Sequence, residues 1–173
     1  MIGAIVLAAG EATRFGAPKQ LVLLGDVLAR LEQSPVDEIV VVEGAYELEP
    51  RAALNVRIVH CLDWKRGPGA SLRCGLAALS PEIEAAVIVL ADGPDLGAEA
   101  VSRVIESWRL HGGNIVAASY GGERGHPLLI DRSAFADVPD EGLRARRPQL
   151  VPCDDLGAPG DVDTPGDLPE RLR

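Results

Sequence analysis

Short apolar runs alternate along the chain with segments in which apolar residues recur every three or four positions. Uninterrupted apolar runs of about four to eight residues are typical of strands buried on both faces, as in a parallel sheet. Helical spacing is typical of helices that cover such a sheet with one apolar face. The alternation therefore predicts an α/β protein, with a parallel or mixed sheet and helices on both of its faces.

The two patterns predict an order of elements. The apolar runs predict strands over residues 2–8, 38–42, 56–62, 85–90, 115–119 and 128–130. Helical spacing predicts helices over residues 26–33, 70–79, 98–110 and 164–172, a short helix or turn over 46–54 and one helical turn over 133–137. Residues 63–69 and 121–127 are predicted to be loops, and residues 138–163, rich in Pro, Gly and Asp, an irregular surface segment.

The expected position of a binding site follows from this order. A chain of 173 residues has the usual size of one domain, so we treat residues 1–173 as a single unit. In open α/β sheets, ligands bind beyond the carboxyl ends of the strands. The loops after the strands that end at residues 8, 62 and 90 are therefore the expected site.

Composition excludes several classes of function. The formal net charge of -9 argues against general binding to nucleic acid or to an anionic membrane. No apolar run reaches the roughly 18 residues of a membrane span. The first residues lack the basic stretch and the cleavage site of a signal peptide, so we expect a cytoplasmic protein.

The three cysteines, Cys61, Cys74 and Cys153, show no C-x-x-C spacing. An odd number without that spacing predicts neither a zinc site nor a disulfide framework. We therefore expect three small core residues with free thiols, in a reducing compartment.

The loop after the first strand is the strongest candidate for a ligand site. It contains Gly10 and Gly16, which let backbone N–H groups approach a ligand closely. Arg14 offers a planar fork to phosphate oxygens and Lys19, one of two lysines in the chain, a point charge. These residues predict a polyphosphate cradle, and the alternative is an ordinary turn with two exposed cations. The spacing fits neither the Walker A pattern nor the G-x-G-x-x-G fingerprint.

Five sequence blocks together resemble one family. The pattern L-A-A-G-x-x-x-R-x-G-x-x-K over residues 7–19 resembles the signature of the MobA-like nucleotidyltransferases, which include molybdopterin cytidylyltransferases. Further similar blocks follow in the family's order: Gly67 with the S-L and G-L pairs at 71–72 and 75–76, LADGP at 90–94, GHP at 125–127 and DVDTPGDL at 161–168. The resemblance implies a Rossmann-like three-layer sandwich of the nucleotide-diphospho-sugar transferase type, with a mostly parallel central sheet.

The resemblance also implies a nucleotide site. Its residues are Leu7, Ala8, Ala9, Gly10, Arg14, Gly16, Lys19, Gly67 and Ser71. Ser71 would hydrogen-bond the base, and Arg14 and Lys19 would hold the triphosphate during catalysis. The pair Ala8-Ala9 is similar to the cytidylyl members, which favours CTP over other nucleotides.

The same resemblance implies a metal and an acceptor. Asp92, as a catalytic residue, and Asp163 would hold Mg²⁺, with Asp161 as a helper. Magnesium prefers a few carboxylates together with phosphate oxygens and water, which fits two acidic loops. The implied reaction transfers CMP to a small phosphorylated acceptor such as molybdopterin and releases pyrophosphate, in molybdenum cofactor biosynthesis. A molybdoenzyme or a chaperone is the implied protein partner.

The chain departs from the family pattern in three places, and these leave alternatives open. Residues 21–36 are predicted to hold only a brief helix, Gly93 stands where Gln is usual, and residues 138–150 are shortened. These departures permit a catalytically degraded nucleotide-binding module of the same fold. A nucleotide-sugar-dependent glycosyltransferase is a third hypothesis, against which the cations of the first loop argue.

Further residues near these blocks carry weaker signals. His126 is expected to be structural because it precedes a proline. Arg144, Arg146 and Arg147 are expected to lie on a solvated face, although they could contact a phosphorylated acceptor. Trp64 is expected to anchor its loop rather than to stack on a base.

Overall fold

The central sheet has seven strands. A computed structural model of the chain describes residues 1–11, 19–48 and 55–172, with side chains from residue 23 onward in the second range. The strands are β1 (Ile2–Leu7), β2 (Glu38–Glu43), β3 (Val56–His60), β4 (Ala85–Leu90), β5 (Ile115–Tyr120), β6 (Glu123–Asp131) and β7 (Gln149–Pro152). Their order across the sheet is β3-β2-β1-β4-β6-β5-β7.

The sheet is mostly parallel, as the sequence predicts. β1 runs parallel to β2 and β4, β3 parallel to β2, and β7 parallel to β5. β6 is antiparallel to both of its neighbours, β4 and β5. As a result the first residues of β6, rather than its last, lie at the carboxyl end of β4.

Helices cover both faces of the sheet, which confirms the three-layer prediction. They are α1 (Lys19–Glu32), α2 (Pro68–Ala78) and α3 (Ala98–His111). α1 and α3 share one apolar core with alternate sheet residues such as Val6, and α2 shares the other with residues such as Ile5. This division follows from the alternation of side chains along a strand. Among the described helices, none is long and apolar enough to cross a bilayer.

Glycine lets α2 lie close to the sheet. A Cβ atom added at Gly75 would lie 2.8 Å from the Cγ2 atom of Ile5 and 2.9 Å from that of Val42. Real Cβ atoms essentially never approach other atoms so closely. The close packing fixes the position of α2 against β1 and β2, and with it the position of the helix start beside the ends of those strands.

Several element boundaries differ from the prediction. α1 has 14 residues, so the prediction of a brief helix within residues 21–36 is wrong. β6 begins inside the predicted loop 121–127, and β7 lies in the segment predicted to be irregular. The predicted terminal helix is instead a pair of 3-10 turns, Pro165–Asp167 and Glu170–Leu172. Residues 46–48 are not helical, and the rest of the predicted element 46–54 lies outside the described residues.

Two cysteines are joined. Cys61 and Cys74 form a disulfide, with their Cα atoms 5.9 Å apart, so the prediction of free thiols is wrong for this pair. The physical reason is that α2 packs against the end of β3, which brings the two residues together. Cys153 is free and buried, as predicted.

Candidate active site

A cleft of about 740 Å³ opens at the carboxyl ends of β1 and β4. The start of α2 and the turn before it form its opposite wall. The residues that line it are Leu7, Ala8, Ala9, Gly10, Glu11, Trp64, Lys65, Gly67, Pro68, Ser71, Leu90, Ala91 and Asp92. The cleft lies where an open α/β sheet places its ligand.

Most of the predicted site residues meet in this cleft. They are Leu7, Ala8, Ala9, Gly10, Gly67, Ser71 and Asp92. Arg14 and Gly16 lie outside the described residues. Lys19 is the first residue of α1, and its side chain also lies outside the described part of the chain.

The backbone just beyond β1 is tied firmly into the sheet. The N–H of Ala8 donates to the carbonyl of Val42 at 2.9 Å, and the N–H of Ala91 donates to the carbonyl of Leu7 at 3.1 Å. The Ala9 carbonyl accepts a hydrogen bond from the N–H of Ala45, also at 3.1 Å. Small side chains and a fixed backbone therefore form a rigid floor under the cleft.

The start of α2 gives the opposite wall a positive character. Gly67 has a φ of 136°, a backbone conformation that favours glycine, and Pro68 opens the helix. The amino end of a helix carries a partial positive charge, which favours anionic ligands. Ser71 is 5% exposed in the same region.

Lys65 is a cation of the cleft that the sequence analysis missed. The signal in the sequence that points to it is the scarcity of lysine, since the chain has only two lysines, Lys19 and Lys65.

The indole of Trp64 has two contacts. It packs over Gly44, where an added Cβ atom would lie 2.6 Å from the indole Cγ atom, and it also lines the cleft. The Nζ atom of Lys65 lies 5.3 Å from the centre of the ring, within the range of a cation–π interaction. Trp64 therefore anchors its loop, as predicted, and also holds the neighbouring cation at the cleft.

The acidic residues predicted to bind metal come from two distant parts of the chain. Asp92 is half-buried in the turn after β4, and its carbonyl accepts a 3.3 Å hydrogen bond from the N–H of Val162. This bond places the exposed Asp163, the next residue, near the same end of β4. Asp161 does not line the cleft itself but a neighbouring cavity of about 500 Å³, which also contacts Gly93 and shares Leu90 with the cleft.

These carboxylates do not form a complete metal site by themselves. Within residues 1–11, 19–48 and 55–172, no group of three or more His, Cys, Asp or Glu side chains could hold an ion. Two carboxylates are still suitable donors for Mg²⁺, because this ion is usually bound by one or two carboxylates, with phosphate oxygens and water as the remaining ligands.

A second cavity, of about 900 Å³, adjoins the cleft. Leu7, Pro68 and Leu90 line both spaces, so they communicate. The charged and polar residues that line the second cavity are Arg124, His126, Glu141 and Arg144. No local pattern in the sequence indicates that these four residues share a cavity, because they come from β6 and from the irregular segment, which meet only in the folded protein.

His126 is neutral at physiological pH. Burial, assisted by the charge of Arg124, lowers the pKa of its imidazole to about 4, although Asp92 opposes the shift. The hydroxyl of Tyr120 donates a 2.9 Å hydrogen bond to the His126 carbonyl, and burial raises the pKa of Tyr120 to about 12. The side chain of His126 therefore offers one donor and one acceptor to whatever occupies the cavity.

Comparison with known proteins gives one family and several related structures. The family model described as the MobA-like NTP transferase domain matches residues 4–149. No curated protein matches the chain. The crystal structure of Rv0371c from Mycobacterium tuberculosis H37Rv is 28% identical, with a TM-score of 0.80 over 96% of this chain and 94% of that one.

Two further structures extend this similarity. The Rv0371c homolog from Mycobacterium sp. strain JC1 is 28% identical, with a TM-score of 0.77 over 96% of this chain and 92% of that one. A complex of Rv0371c with manganese is 26% identical, with a TM-score of 0.75 over 96% and 95% of the two chains. The 4-diphosphocytidyl-2C-methyl-D-erythritol synthase of Anaerococcus prevotii, at 18% identity and a TM-score of 0.64 over 96% and 94% of the two chains, shares the fold.

Proposed function

The chain belongs to the family of MobA-like NTP transferase domains and is a nucleotidyltransferase, and we propose that it transfers CMP from CTP to a small phosphorylated acceptor such as molybdopterin. The whole of residues 1–173 acts as one domain in this proposal. Pyrophosphate is the second product, and the reaction depends on Mg²⁺.

One observation carries the proposal. The 740 Å³ cleft brings the fixed backbone of Ala8 and Ala9, the buried hydroxyl of Ser71 and the carboxylate of Asp92 around a single space. Nucleotidyl transfer needs the α-phosphorus aligned with an attacking oxygen, and the protein supplies mainly position and charge. In this arrangement the nucleotide base contacts the backbone floor and Ser71, and the phosphates of the nucleotide point toward Asp92. The α-phosphorus is then held in place for attack by the acceptor oxygen.

Cations hold the leaving pyrophosphate in this proposal. Arg14 and Lys19 take this role with the N–H groups of the loop from Gly10 to Gly16, and Lys65 adds a charge from the opposite wall. Because the whole protein carries a formal net charge of -9, such a local set of cations is needed to attract a triphosphate.

Asp92 and Asp163 hold the divalent cation in this proposal. The hydrogen bond between Val162 and Asp92 supports the pairing, since it brings their two loops together. The manganese complex of Rv0371c supports a divalent cation in a similar protein. When bound, Mg²⁺ supplies positive charge to the phosphate oxygens and stabilises the developing negative charge.

The acceptor occupies the adjoining 900 Å³ cavity in this proposal. The exposed guanidinium of Arg144 is available to an acceptor phosphate, whereas Arg124 donates to the carbonyls of Leu143 and Arg146, each at 2.9 Å. In this proposal Arg124 therefore holds the cavity wall in place, and Arg144 supplies the positive charge that attracts the acceptor phosphate.

The test is the release of pyrophosphate from CTP, GTP or ATP with Mg²⁺ and molybdopterin. We expect CTP to be the best donor and Asp92→Asn to lower turnover at least about 100-fold, as expected for loss of a group that stabilises the transition state. Glu106→Gln changes an exposed acidic residue of α3 that lines neither the cleft nor the adjoining cavity, so it is the control and should keep full activity. Unchanged turnover in Asp92→Asn would refute the metal assignment.

Calorimetry with each nucleotide addresses the alternative of a degraded binding module. Tight binding without turnover on any acceptor would favour that module. One reason for the alternative is already removed, because α1 is a full helix of 14 residues rather than the brief one predicted.

A further inference from the structure

One segment of the chain contacts both the cleft wall and the adjoining cavity. We call residues 138–146 the bridging segment. Its residues from Glu141 to Ala145 line the 900 Å³ cavity. Its first residues lie instead against the start of α2, the helix that supplies Gly67, Pro68 and Ser71 to the nucleotide cleft.

The carboxylate of Asp140 makes the main polar contact between these two regions. Its Oδ2 atom accepts a 3.0 Å hydrogen bond from Nη2 of Arg66, in the turn before α2. Its Oδ1 atom accepts one from Nη2 of Arg73, within α2. The other Arg73 nitrogen, Nη1, donates to the carbonyl of Val138 at 2.7 Å. One side chain therefore joins two points of the cleft wall to the bridging segment.

The backbones meet closely at the same place. The N–H of Gly69 donates to the carbonyl of Asp140 at 2.9 Å. A Cβ atom added at Gly69 would overlap the carbonyl of Pro139, and one added at Gly67 would overlap that of Asp140. The start of α2 and the bridging segment are therefore in direct backbone contact, to which the side chain of Asp140 adds its two hydrogen bonds.

These ion pairs contribute little to stability. The side chain of Asp140 is 37% exposed, that of Arg66 58% and that of Arg73 34%. Ion pairs with such exposure are well screened by solvent. Hydrogen bonds from Arg73 and Arg66 hold the pKa of Asp140 below its usual range.

We propose that Asp140 is a positioning residue for nucleotidyl transfer, which couples the nucleotide in the cleft to the wall of the acceptor cavity. The inference rests on the proposed function. A nucleotide bound against Gly67 and Ser71 fixes the start of α2, and Asp140 carries that constraint to residues 141–145. The acceptor oxygen is then held in line with the α-phosphate, where a displacement of about 1 Å can cost about 100-fold in rate.

Amide hydrogen exchange tests the coupling without an acceptor. Calorimetry first measures the binding of CTP with Mg²⁺ to each protein. In the natural protein, we expect bound CTP to slow exchange in residues 64–72 and also in residues 141–145. Asp140→Ala keeps the backbone hydrogen bond between Gly69 and residue 140, so slowing should remain in full in the first range and become markedly smaller in the second. Asp140→Glu should restore part of the lost slowing. Asp140→Asn keeps the shape of the side chain, so it replaces the alanine variant if that one fails to fold.

Asp155→Ala is the matched control for this experiment. It removes another exposed pair of charge-assisted hydrogen bonds, those of Arg103 to the Asp155 carboxylate, each at 2.7 Å, without touching the bridging segment. This control should retain the slowing in residues 141–145. Slowing that never reaches those residues in the natural protein, or that is undiminished in Asp140→Ala, overturns the inference.

Turnover with molybdopterin as acceptor distinguishes a role of Asp140 in positioning the acceptor from a role in shaping the nucleotide site. We expect kcat of Asp140→Ala to fall about 10-fold to 100-fold, with the KM for CTP changed less than about threefold. A raised KM with normal kcat would mean that Asp140 merely shapes the nucleotide site, and would overturn the coupling. If calorimetry detects no CTP binding to the natural protein, the proposed nucleotide is wrong, and that result is distinct from a failure of the coupling.

Discussion

The N–H of Val162 donates a 3.3 Å hydrogen bond to the carbonyl oxygen of Asp92. This contact joins a late loop of the chain to the turn that follows β4. Its consequence is that Asp163 approaches the end of the sheet where Asp92 lines the cleft. The backbone next to Asp163 is thereby held at the turn that contains Asp92, which motivates the first prediction.

Asp163→Asn should weaken the response to the metal more than it weakens catalysis. Loss of one of two proposed carboxylate ligands should raise the Mg²⁺ concentration for half-maximal activity about 10-fold or more. The measurement is a Mg²⁺ titration of pyrophosphate release at saturating nucleotide. Glu170→Gln, an exposed acidic residue further along the same terminal segment, is the control and should titrate like the natural protein. An unshifted titration curve for Asp163→Asn would remove this residue from the metal site.

Gly69→Ala should destabilise the fold. The added methyl group would overlap the carbonyl of Pro139, and the atoms that it would meet belong to the backbone, so they cannot rotate away as a side chain could. We expect a loss of about 1–3 kcal/mol in the free energy of unfolding, as for other overpacked positions. Urea denaturation measures it.

Gly25→Ala provides the opposite case in the same experiment. Gly25 is exposed within α1, and an added Cβ atom meets nothing within 4 Å. Alanine should stabilise this helix by about 0.5–1 kcal/mol, because it loses less backbone entropy than glycine on folding. Equal effects of the two substitutions would contradict the packing described for the start of α2.

The free energy of unfolding should decrease as the pH is lowered, because His126 is buried in its neutral form. Its pKa in the folded protein is about 4, below the unfolded value of about 6.5. Between these values the unfolded chain binds a proton that the folded chain does not, so the stabilisation is complete above pH 6.5 and is lost toward pH 4. From pH 7 to pH 4.5 the imidazole should account for roughly 2 kcal/mol of lost stability.

The check on this pH effect is denaturation of His126→Gln over the same range. Arg124 and Asp92 are the charged residues that act on the imidazole, and both remain in the variant. The stability of the variant should depend less steeply on pH than that of the natural protein. Parallel curves would show that His126 does not govern the effect.

Reduction of the disulfide should lower stability. The bond between Cys61 and Cys74 closes a loop with a sequence separation of 13, and loops of about this size stabilise a protein by about 3 kcal/mol in the chain-entropy account. Denaturation with and without a thiol reductant measures the difference. The double variant Cys61→Ser, Cys74→Ser should behave like the reduced protein and should not respond to reductant. If the reductant lowered the stability of the double variant as much as that of the natural protein, the effect would not come from this disulfide.

The sequence predicts the fully covered strands well. β1 and β4 are apolar at nearly every position because helices pack on both faces, so their patterns are unambiguous. The first half of β6 is different: Glu123 to His126 are exposed or half-buried, and the strand is irregularly paired with β5. Polar residues with glycine and proline resemble a loop in any local pattern, and only the tertiary pairing makes them a strand.

Site residues that stand in one local sequence motif can be predicted from the sequence. Site residues that depend on a contact between two distant segments cannot. Ala8, Ala9 and Ser71 stand in motifs that can be found along the sequence. The contact of Asp140 with α2 depends on how the bridging segment packs, and no spacing in the sequence encodes it. The pairing of Cys61 with Cys74 was missed for the same reason, because proximity arises from the packing of α2 beside β3.

The reversed direction of β6 has a consequence for how this protein could be re-engineered. Because β6 starts at the carboxyl end of β4, one continuous stretch, residues 120–147, supplies most of the polar wall of the second cavity. The described lining of the proposed nucleotide cleft comes from residues before 93. Under the proposed function, a chimaera that takes only this later stretch from a relative should therefore exchange acceptor preference while keeping its nucleotide, provided that the stretch carries an aspartate at position 140 to pair with Arg66 and Arg73.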